Sequence, residues 1–439
     1  MKKSYFLLFV LFFSIIQIPF AQQKKNETVV ERFLRYVTID TQSQEDATIT
    51  PSTQKQFNLA HLLVQELKDI GLQDAHVDSF CFVYASLPSN LSDALAQKVP
   101  PIGLISHMDT SPAVSGEHVN PIMHKNYQGG DIVLPNDTSQ VITVEKNQHL
   151  LDNIGNDIIT TDGTTLLGAD DKSGIAEIMT MLQTLVNDPS IKHGTLKIAF
   201  TPDEEVGTGI DKFDVKNFGA KYAYTVDGGE LGEINNETWN ADGAMVLVHG
   251  KSVHPGDAKG KMVNSMYAVG YFLSRIPDNM KPETTEKREG FIHPDNGTLG
   301  VEETKFKMIL RHFDVSGLEE QHKLLLSIRD ETMQKFPGVK IDIHFTEEYR
   351  NMQLKLNQVP FVNDYAIEAC KRARVTPKQI PIRGGTDGSN LTDMGLPCPN
   401  IFTGGENFHG KQEWIAVQGM EKAVKTLLNL VQIWVEKSI

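Results

Sequence analysis

Four short apolar runs in the sequence each end in histidine or acidic residues, and this feature limits the folds open to the chain. The runs are "IGLISHMDT", "LLGADDKSG", "KIAFTPDEEVG" and "YAYTVDGGE". Three of them contain strand-like stretches, and a helical pattern at 173–186 lies between the first and the second of these strands. Strands that alternate with helices indicate an α/β domain with a mainly parallel sheet. Ligands bind beyond the carboxyl ends of such strands, so we expect the four run ends to converge on one crevice.

The segment ahead of the first strand is predicted to be helical. Apolar residues recur there at three- and four-residue spacing from Thr28 to about Gly71. Ser52, which follows Pro51, is predicted to cap the second helix, and Gly71 is predicted to end it.

The pattern of predicted strands and helices changes near residue 240 and returns to the earlier pattern near residue 360. Between these points the pattern is strand, helix, strand, helix, strand, which predicts a self-contained α+β unit. An inserted domain explains the return more economically than two domains in series. We therefore expect a catalytic domain in two parts, residues 22–238 and 352–439, and an inserted domain at residues 239–351.

The residue types at the run ends narrow the chemistry. Imidazole and carboxylate without thiolate suit zinc, manganese or cobalt in a catalytic role. His107 and Asp109 alternate on an extended chain, as a metal ligand and the carboxylate that fixes its tautomer do. His409, in "GGENFHGKQEW", can supply a second imidazole. No thiolate site or disulfide framework is expected, because the three cysteines are widely spaced: Cys81, Cys370 and Cys398.

Each run end also has a purely structural interpretation. "HMD" alone fits a solvated histidine and aspartate at a strand end, and "GADD" alone fits a helix N-cap before "KSGIAEIM". The coincidence of all these segments favours a metal site.

Net charge and the N-terminus bear on partners and location. The formal charge of −14 argues against a general nucleic-acid binder. Lys2 and Lys3 precede an apolar stretch that ends at Phe20 and is followed by Ala21, the order of a secretory signal peptide. We therefore expect residues 1–21 to be a signal peptide and the protein to be exported to a periplasm. The stretch is short for a membrane span, so no stable membrane anchor is expected.

Taken together, these stretches resemble the peptidase T family, tripeptide aminopeptidases of the di-zinc metallopeptidase clan that also contains carboxypeptidase G2-like and acylase-like enzymes. The resemblance lies in "SHMDT", "GADDKSG", "TPDEEVG", "VDGG", "HGKSVHPG", "MVN", "IRGGTDGSNL" and "NFHG". It implies a zinc-peptidase catalytic domain, an inserted lid that also makes a dimer contact, and hydrolysis of the N-terminal residue from tripeptides.

The resemblance also implies a ligand set. Asp170 would bridge two zinc ions, which cobalt or manganese could replace. His107 and Asp227 would complete one site, and Glu205 and His409 would complete the other.

Two further acidic residues would assist the metals. Glu204 would be the general base that takes a proton from the metal-bridging water, and Asp109 would orient His107. Asp171 and Asp203 are left without a ligand role and are predicted to be capping or loop residues.

Four residues match positions that contact substrate in the family. His254, Asn264 and Arg311 lie in the inserted domain, and Arg383 lies in the catalytic body. An arginine fork suits the terminal carboxylate of a peptide. His254 would bind the transition-state oxyanion across a homodimer.

Two alternatives stay open at this point. A carboxypeptidase or an N-acyl amino acid amidohydrolase would use the same metal centre, so the ligands do not discriminate between them. A non-catalytic periplasmic peptide- or zinc-binding protein has little use for an unligated base such as Glu204. The family is typically cytoplasmic, and the predicted export signal departs from it.

Overall fold

The chain folds around a large mixed sheet, seen in a computed structural model that describes residues 26–439. Within these residues the helices are α1 (Val29–Tyr36), α2 (Gln56–Ile70), α3 (Asp93–Ala96), α4 (Ala169–Asn187), α5 (Val215–Phe218), α6 (Ser265–Ser274), α7 (Val315–Lys335), α8 (Gln353–Leu356), α9 (Phe361–Arg372), α10 (Asp387–Asp393) and α11 (Val417–Ser438). The strands are β1 (His76–Val77), β2 (Val83–Leu87), β3 (Ile102–His107), β4 (Ile122–His124), β5 (Ile132–Val133), β6 (Val141–Ile142), β7 (Ile158–Thr160), β8 (Leu196–Thr201), β9 (Tyr222–Gly228), β10 (Glu233–Asn235), β11 (Asn240–His249), β12 (Phe291–Thr298), β13 (Glu303–His312), β14 (Lys340–Tyr349), β15 (Lys378–Gln379), β16 (Asn400–Phe402), β17 (Gly405–Glu406) and β18 (Trp414–Ala416).

The centre of the large sheet is parallel. Its strand order is β1-β2-β8-β3-β9-β16-β10-β15, and β8, β3, β9 and β16 run in the same direction. Every residue of β3 is buried, as expected of a parallel strand covered on both faces. The carboxyl ends of β3, β8 and β9 therefore open on one edge. This arrangement confirms the predicted α/β class.

Helices cover the sheet and build the main hydrophobic core. α4 packs against β3 and β9, and α11 packs against both α4 and α9. Buried side chains of these helices join those of the strands in one cluster. α4 is held firmly by this packing, so the residues of its first turn have a fixed position beside the strand ends.

A second, antiparallel sheet is formed by the segment that the sequence marked as an insertion. Its strand order is β12-β13-β11-β14, and α6 and α7 pack against it. Buried positions alternate along β11, which is the pattern of a sheet with one packed face. The unit has a hydrophobic cluster of its own. We propose residues 239–351 as the inserted domain, and this separate cluster supports the boundaries.

The N-terminal helices differ from the prediction in one respect. Gly71 ends α2 with a positive φ of 131°, which confirms it as the stop. Ser52 does not cap α2, because the helix begins later, after Lys55, and the hydroxyl of Ser52 donates to Asp203 instead. The hydroxyl of Ser52 thus bonds to an acceptor far along the chain, although the local sequence pattern predicted that it would cap a helix.

α4 carries a fully buried glutamate, Glu177. The side chain of Glu177 is 0% exposed, and neither carboxylate oxygen has a partner among residues 26–439. Burial raises the pKa of this carboxyl well above its ordinary value. The folded protein therefore keeps Glu177 protonated at pH values where the unfolded chain ionises it.

Replacement of this residue by Glu177→Met is expected to raise the free energy of unfolding by about 1–3 kcal/mol near pH 8. The folded-state pKa lies above the unfolded one, so the native state holds an extra proton and the wild-type protein loses stability as pH rises through that interval. The gain should therefore be smaller near pH 5. Urea unfolding of the metal-loaded protein, followed by circular dichroism at both pH values, measures it. Glu177→Gln, which cannot ionise but keeps a buried polar group, should gain less, and equal gains by Glu177→Met at both pH values would contradict the interpretation.

Candidate metal centre

Five predicted metal ligands meet at the carboxyl edge of the large sheet. Because β8, β3 and β9 are neighbours and parallel, the residues that follow them lie side by side. The five residues are His107 at the end of β3, Asp170 in the first turn of α4, Glu205 in the turn after β8, Asp227 in β9, and His409 in the loop between β17 and β18.

Asp170 lies between the two histidines. Nε2 of His107 is 2.8 Å from Oδ1 of Asp170, and Nε2 of His409 is 3.1 Å from Oδ2 of the same carboxylate. A second carboxylate accompanies each histidine: Oδ1 of Asp227 is 3.5 Å from Nε2 of His107, and Oε2 of Glu205 is 2.8 Å from Nε2 of His409. The cluster therefore has two halves that share Asp170.

The pKa values of most groups in the cluster are raised, which shows that the site favours additional positive charge. Burial raises the pKa of Glu205 to about 7 and that of Asp227 to about 6. The hydrogen bonds to Asp170 and Glu205 raise the pKa of His409 to about 10. Burial opposes the charged form of His107, but the surrounding carboxylates, Asp227 first among them, leave its pKa well above the ordinary value. Divalent cations placed beside buried carboxylates of this kind stabilise their ionised form.

Donor type and unused atoms also fit divalent cations. Oε1 of Glu205 is buried and has no hydrogen-bond partner among residues 26–439. Ligand atoms of His107, Asp170 and Glu205 all lie within 4.8 Å of one another, and so do ligand atoms of His107, Asp171 and Asp227. Imidazole and carboxylate donors of this kind suit catalytic zinc, manganese or cobalt.

Asp171 has a separate structural task. Its side chain is 0% exposed and accepts hydrogen bonds from the backbone N–H groups of His107, at 3.2 Å, and Gly174, at 3.3 Å. The second of these bonds is the capping interaction that the sequence predicted for Asp171.

Asp109 connects the histidine to the acidic turn. Its two carboxylate oxygens accept from the backbone N–H of Glu204, at 3.0 Å, and of Glu205, at 3.2 Å. Oδ1 of Asp109 is also 3.3 Å from Nδ1 of His107. Glu204 belongs to none of the candidate ligand groups among the described residues, and burial raises its pKa well above the ordinary value. The adjacent glutamates therefore have different surroundings.

The three predicted substrate contacts in the inserted unit do not touch the cluster through any hydrogen bond or ion pair of the described residues. Nδ1 of the exposed His254 accepts from the N–H of Gly256, and Asn264 caps α6. Arg311 lies 2.9 Å from Glu348.

Arg383, the fourth predicted substrate contact, bonds to the inserted unit rather than to the cluster. Its guanidinium donates to the carbonyl oxygens of Lys287, at 2.9 Å, and Thr285, at 3.2 Å. It also lies over the ring of Trp239, 4.9 Å from the centroid. Arg383 thus lies where the catalytic body meets the inserted unit.

Two buried carboxylates near the cluster escaped sequence reasoning. Glu413 is 1% exposed and accepts from the backbone N–H groups of Leu167, Gly168 and Asp170 at 2.7–3.1 Å. Asp387 accepts from the hydroxyl of Thr201 at the end of β8, at 2.6 Å, and burial raises its pKa to about 7. The only sequence signal for either residue was its place in a quoted motif, "GGENFHGKQEW" for Glu413 and "IRGGTDGSNL" for Asp387.

Known proteins of similar sequence are peptidases. Residues 162–433 match the model of peptidase family M20/M25/M40. The chain is 48% identical to peptidase T of Alkaliphilus oremlandii over 408 residues, which cover 93% of this chain and 99% of that protein. It is also 48% identical to peptidase T of Clostridium acetobutylicum over 411 residues, with 94% and 100% coverage.

Solved structures show the same fold. Aminopeptidase PepT from Bacillus cereus superposes with a TM-score of 0.71 at 21% identity and covers 94% of this chain and 99% of its own. The YXEP protein of Bacillus subtilis, a dinuclear metal-binding peptidase of the M20 family, superposes with a TM-score of 0.62 at 12% identity, with 93% and 98% coverage.

These comparisons correct the prediction about location. The predicted signal peptide, residues 1–21, lies outside the described residues. The predictions of a signal peptide and a periplasmic protein are wrong, because the peptidase T proteins that the chain matches over nearly their whole length are cytoplasmic. The pattern of lysines before an apolar stretch is too general to establish a signal peptide against the similarity to these peptidase T proteins. Within residues 26–439, no helix is both long enough and apolar enough to cross a membrane.

Proposed function

The chain belongs to peptidase family M20/M25/M40, and from this premise we propose that it is a two-metal hydrolase that removes the N-terminal residue from tripeptides. The observation that carries the metal chemistry is the position of Asp170, which offers one oxygen to each half of the cluster. Repulsion between two neighbouring dications requires a shared anion of this kind.

Each half of the cluster would hold one ion, and zinc suits the donors. His107 and Asp227 would hold one ion, Glu205 and His409 would hold the other, and Asp170 would serve both. Ions bound there would lower the pKa of an attacking water and would polarise the peptide carbonyl. Cobalt or manganese can replace zinc with the same donors.

Glu204 acts as the general base and then as the general acid. Its carboxylate takes the proton of the attacking water and passes it to the nitrogen of the leaving amine. Asp109 supports this role because it holds the backbone N–H of Glu204 and the imidazole of His107 at once. The base and a metal ligand thus share one anchor.

Substrate binding falls to residues outside the metal cluster. Arg311 or Arg383 pairs with the terminal carboxylate of the peptide, and Asn264 contacts its backbone. His254 binds the oxyanion across a homodimer, for which its exposed position in the structure is suitable. In this proposal the inserted domain is both lid and dimer contact.

The purified, zinc- or cobalt-loaded protein is expected to release free alanine from trialanine. N-acetyl-trialanine should be cleaved more than about 100-fold more slowly, since a site that pairs with a free α-amine leaves buried groups unpaired when the amine is blocked. Chromatography of both digests measures the ratio, with the chelated protein as a blank. Equal cleavage of the two peptides would instead indicate a carboxypeptidase or an N-acyl amino acid amidohydrolase. No release of amino acid at any metal loading would refute the proposed function.

A further inference from the structure

The residue immediately before the proposed base is a buried aspartate in an unusual backbone conformation. Asp203 is 0% exposed, and its φ of 55° lies in the left-handed region. Aspartate and asparagine tolerate this region better than most residues other than glycine. The chain leaves β8 and turns at Asp203, so its conformation determines where the side chain of Glu204 begins.

A dense set of hydrogen bonds holds the carboxylate of Asp203. Oδ2 accepts from the backbone N–H of Ser52 at 2.6 Å. Oδ1 accepts from the hydroxyl of Ser52 and from Nε2 of Gln56, the latter at 2.6 Å. In return, the N–H of Asp203 donates to Oε1 of Gln56 at 3.3 Å. Charge-assisted bonds of this number fix both the side chain and the backbone of Asp203.

The partners of Asp203 are themselves bonded to the segment that follows β3 and includes Asp109. The hydroxyl of Ser52 accepts from the N–H of Gln44 at 3.0 Å. The neighbouring Ser43 donates its N–H to the carbonyl oxygen of Thr110 at 3.1 Å. Asp109 in turn accepts from the N–H of Glu204. The loop that includes residues 43–52 therefore connects the segments that follow β3 and β8. These hydrogen bonds, together with the backbone between neighbouring residues, form a closed circuit.

From this circuit we infer that Asp203 is a positioning residue, which sets the geometry of Glu204 through its bonds to Ser52 and Gln56. Asp109 fixes the turn by accepting from the N–H of Glu204. Asp203, the preceding residue, fixes it through its own bonds to Ser52 and Gln56. Neither its burial nor its contacts suggest that Asp203 meets substrate or metal. The inference rests on the proposed function, since it concerns the base of that reaction.

Asp203→Asn provides the test, because asparagine keeps the size and the tolerance for positive φ but replaces an acceptor oxygen with an amide donor. We expect kcat for trialanine to fall about 10- to 100-fold, the usual cost of a lost supporting bond or of a displacement near 1 Å. KM should change less than about threefold, because the substrate contacts lie elsewhere. Metal content per folded chain, measured by inductively coupled plasma mass spectrometry, should equal that of the wild type.

Asp162→Asn is the matched control. Asp162 is 5% exposed and accepts from Thr164, Asn120 and Asn136, so its substitution also removes a buried acceptor. None of these three donors belongs to the turn that carries Glu204. Both variants should lose stability, whereas only Asp203→Asn should lose kcat. If kcat of Asp203→Asn at full folding and metal loading equals that of the control, the inference is wrong. It is also wrong if loss of metal accounts for the whole loss of kcat.

Ser52→Ala supplies a second arm in which the residues of the turn itself are not substituted. It removes one donor to Asp203 and should lower kcat less than Asp203→Asn does, and the double variant should be no slower than Asp203→Asn alone. Fully additive losses would overturn the idea that both residues act through one circuit. An active wild type with an equally active Asp203→Asn refutes this inference alone, whereas an inactive wild type refutes the proposed function.

Discussion

Glu204→Gln is expected to lower kcat for trialanine by about 100- to 10,000-fold, the range usual for loss of a general acid–base group. The amide of glutamine cannot accept the proton of the attacking water, while its size and the backbone bond to Asp109 are retained. Glu204 lies in none of the candidate ligand groups among the described residues, so the variant should keep the metal content of the wild type. Steady-state kinetics and metal analysis on the same preparation measure both quantities.

The neighbouring glutamate supplies the decisive comparison. Glu205→Gln should lose metal, because Glu205 pairs with His409 and has a buried oxygen without a hydrogen-bond partner in the described part of the chain. Glu421→Gln, an exposed substitution on α11, should behave as the wild type in both measurements. Retention of metal by Glu205→Gln together with its loss by Glu204→Gln would show that the two roles have been assigned the wrong way round.

Asp170→Asn is expected to abolish binding of both ions and to lower activity by at least about 1,000-fold, since bound metals contribute several kcal/mol to the reaction. Asparagine offers one oxygen where the carboxylate offers two, and the oxygens of Asp170 face different histidines. The loss of negative charge also weakens the attraction for both cations. Metal content after dialysis, with trialanine turnover at saturating zinc, is the measurement.

Variants confined to one half of the cluster are the controls for Asp170. Asp227→Asn and His409→Ala each affect one side, so each should remove about one ion per chain. Asp170→Asn should remove more metal than either of them. Loss of a single ion from Asp170→Asn would contradict the shared role.

Sequence pattern predicts those parts of the centre that depend on strand direction. Apolar runs ending in polar residues predicted β3, β8 and β9 and placed His107, Glu205 and Asp227 at one edge, because parallel neighbours must end together. The motifs also singled out Asp170 and His409, which the structure brings to the same place. Their roles as ligands stay predictions.

The local sequence pattern does not predict the partner of a polar side chain when the hydrogen bond joins segments that are distant in the sequence. Ser52 was predicted to cap α2 because its sequence neighbours fit that role, but its hydroxyl bonds to a carboxylate from far along the chain. Glu413 holds the backbone before Asp170 from a similar distance. Periodicity reports which face of an element is buried and does not report which buried acceptor a polar side chain will find.

The position of His409 and Glu413 near the end of the chain has a consequence for synthesis. Both residues follow the inserted unit, yet they contact Asp170 and the backbone that precedes it. A nascent chain that has completed α4, β8 and β9 still lacks one imidazole and the carboxylate that anchors the Asp170 loop. We therefore expect the cluster to be complete only when the C-terminal segment docks, and a partly made chain to be inactive toward peptides.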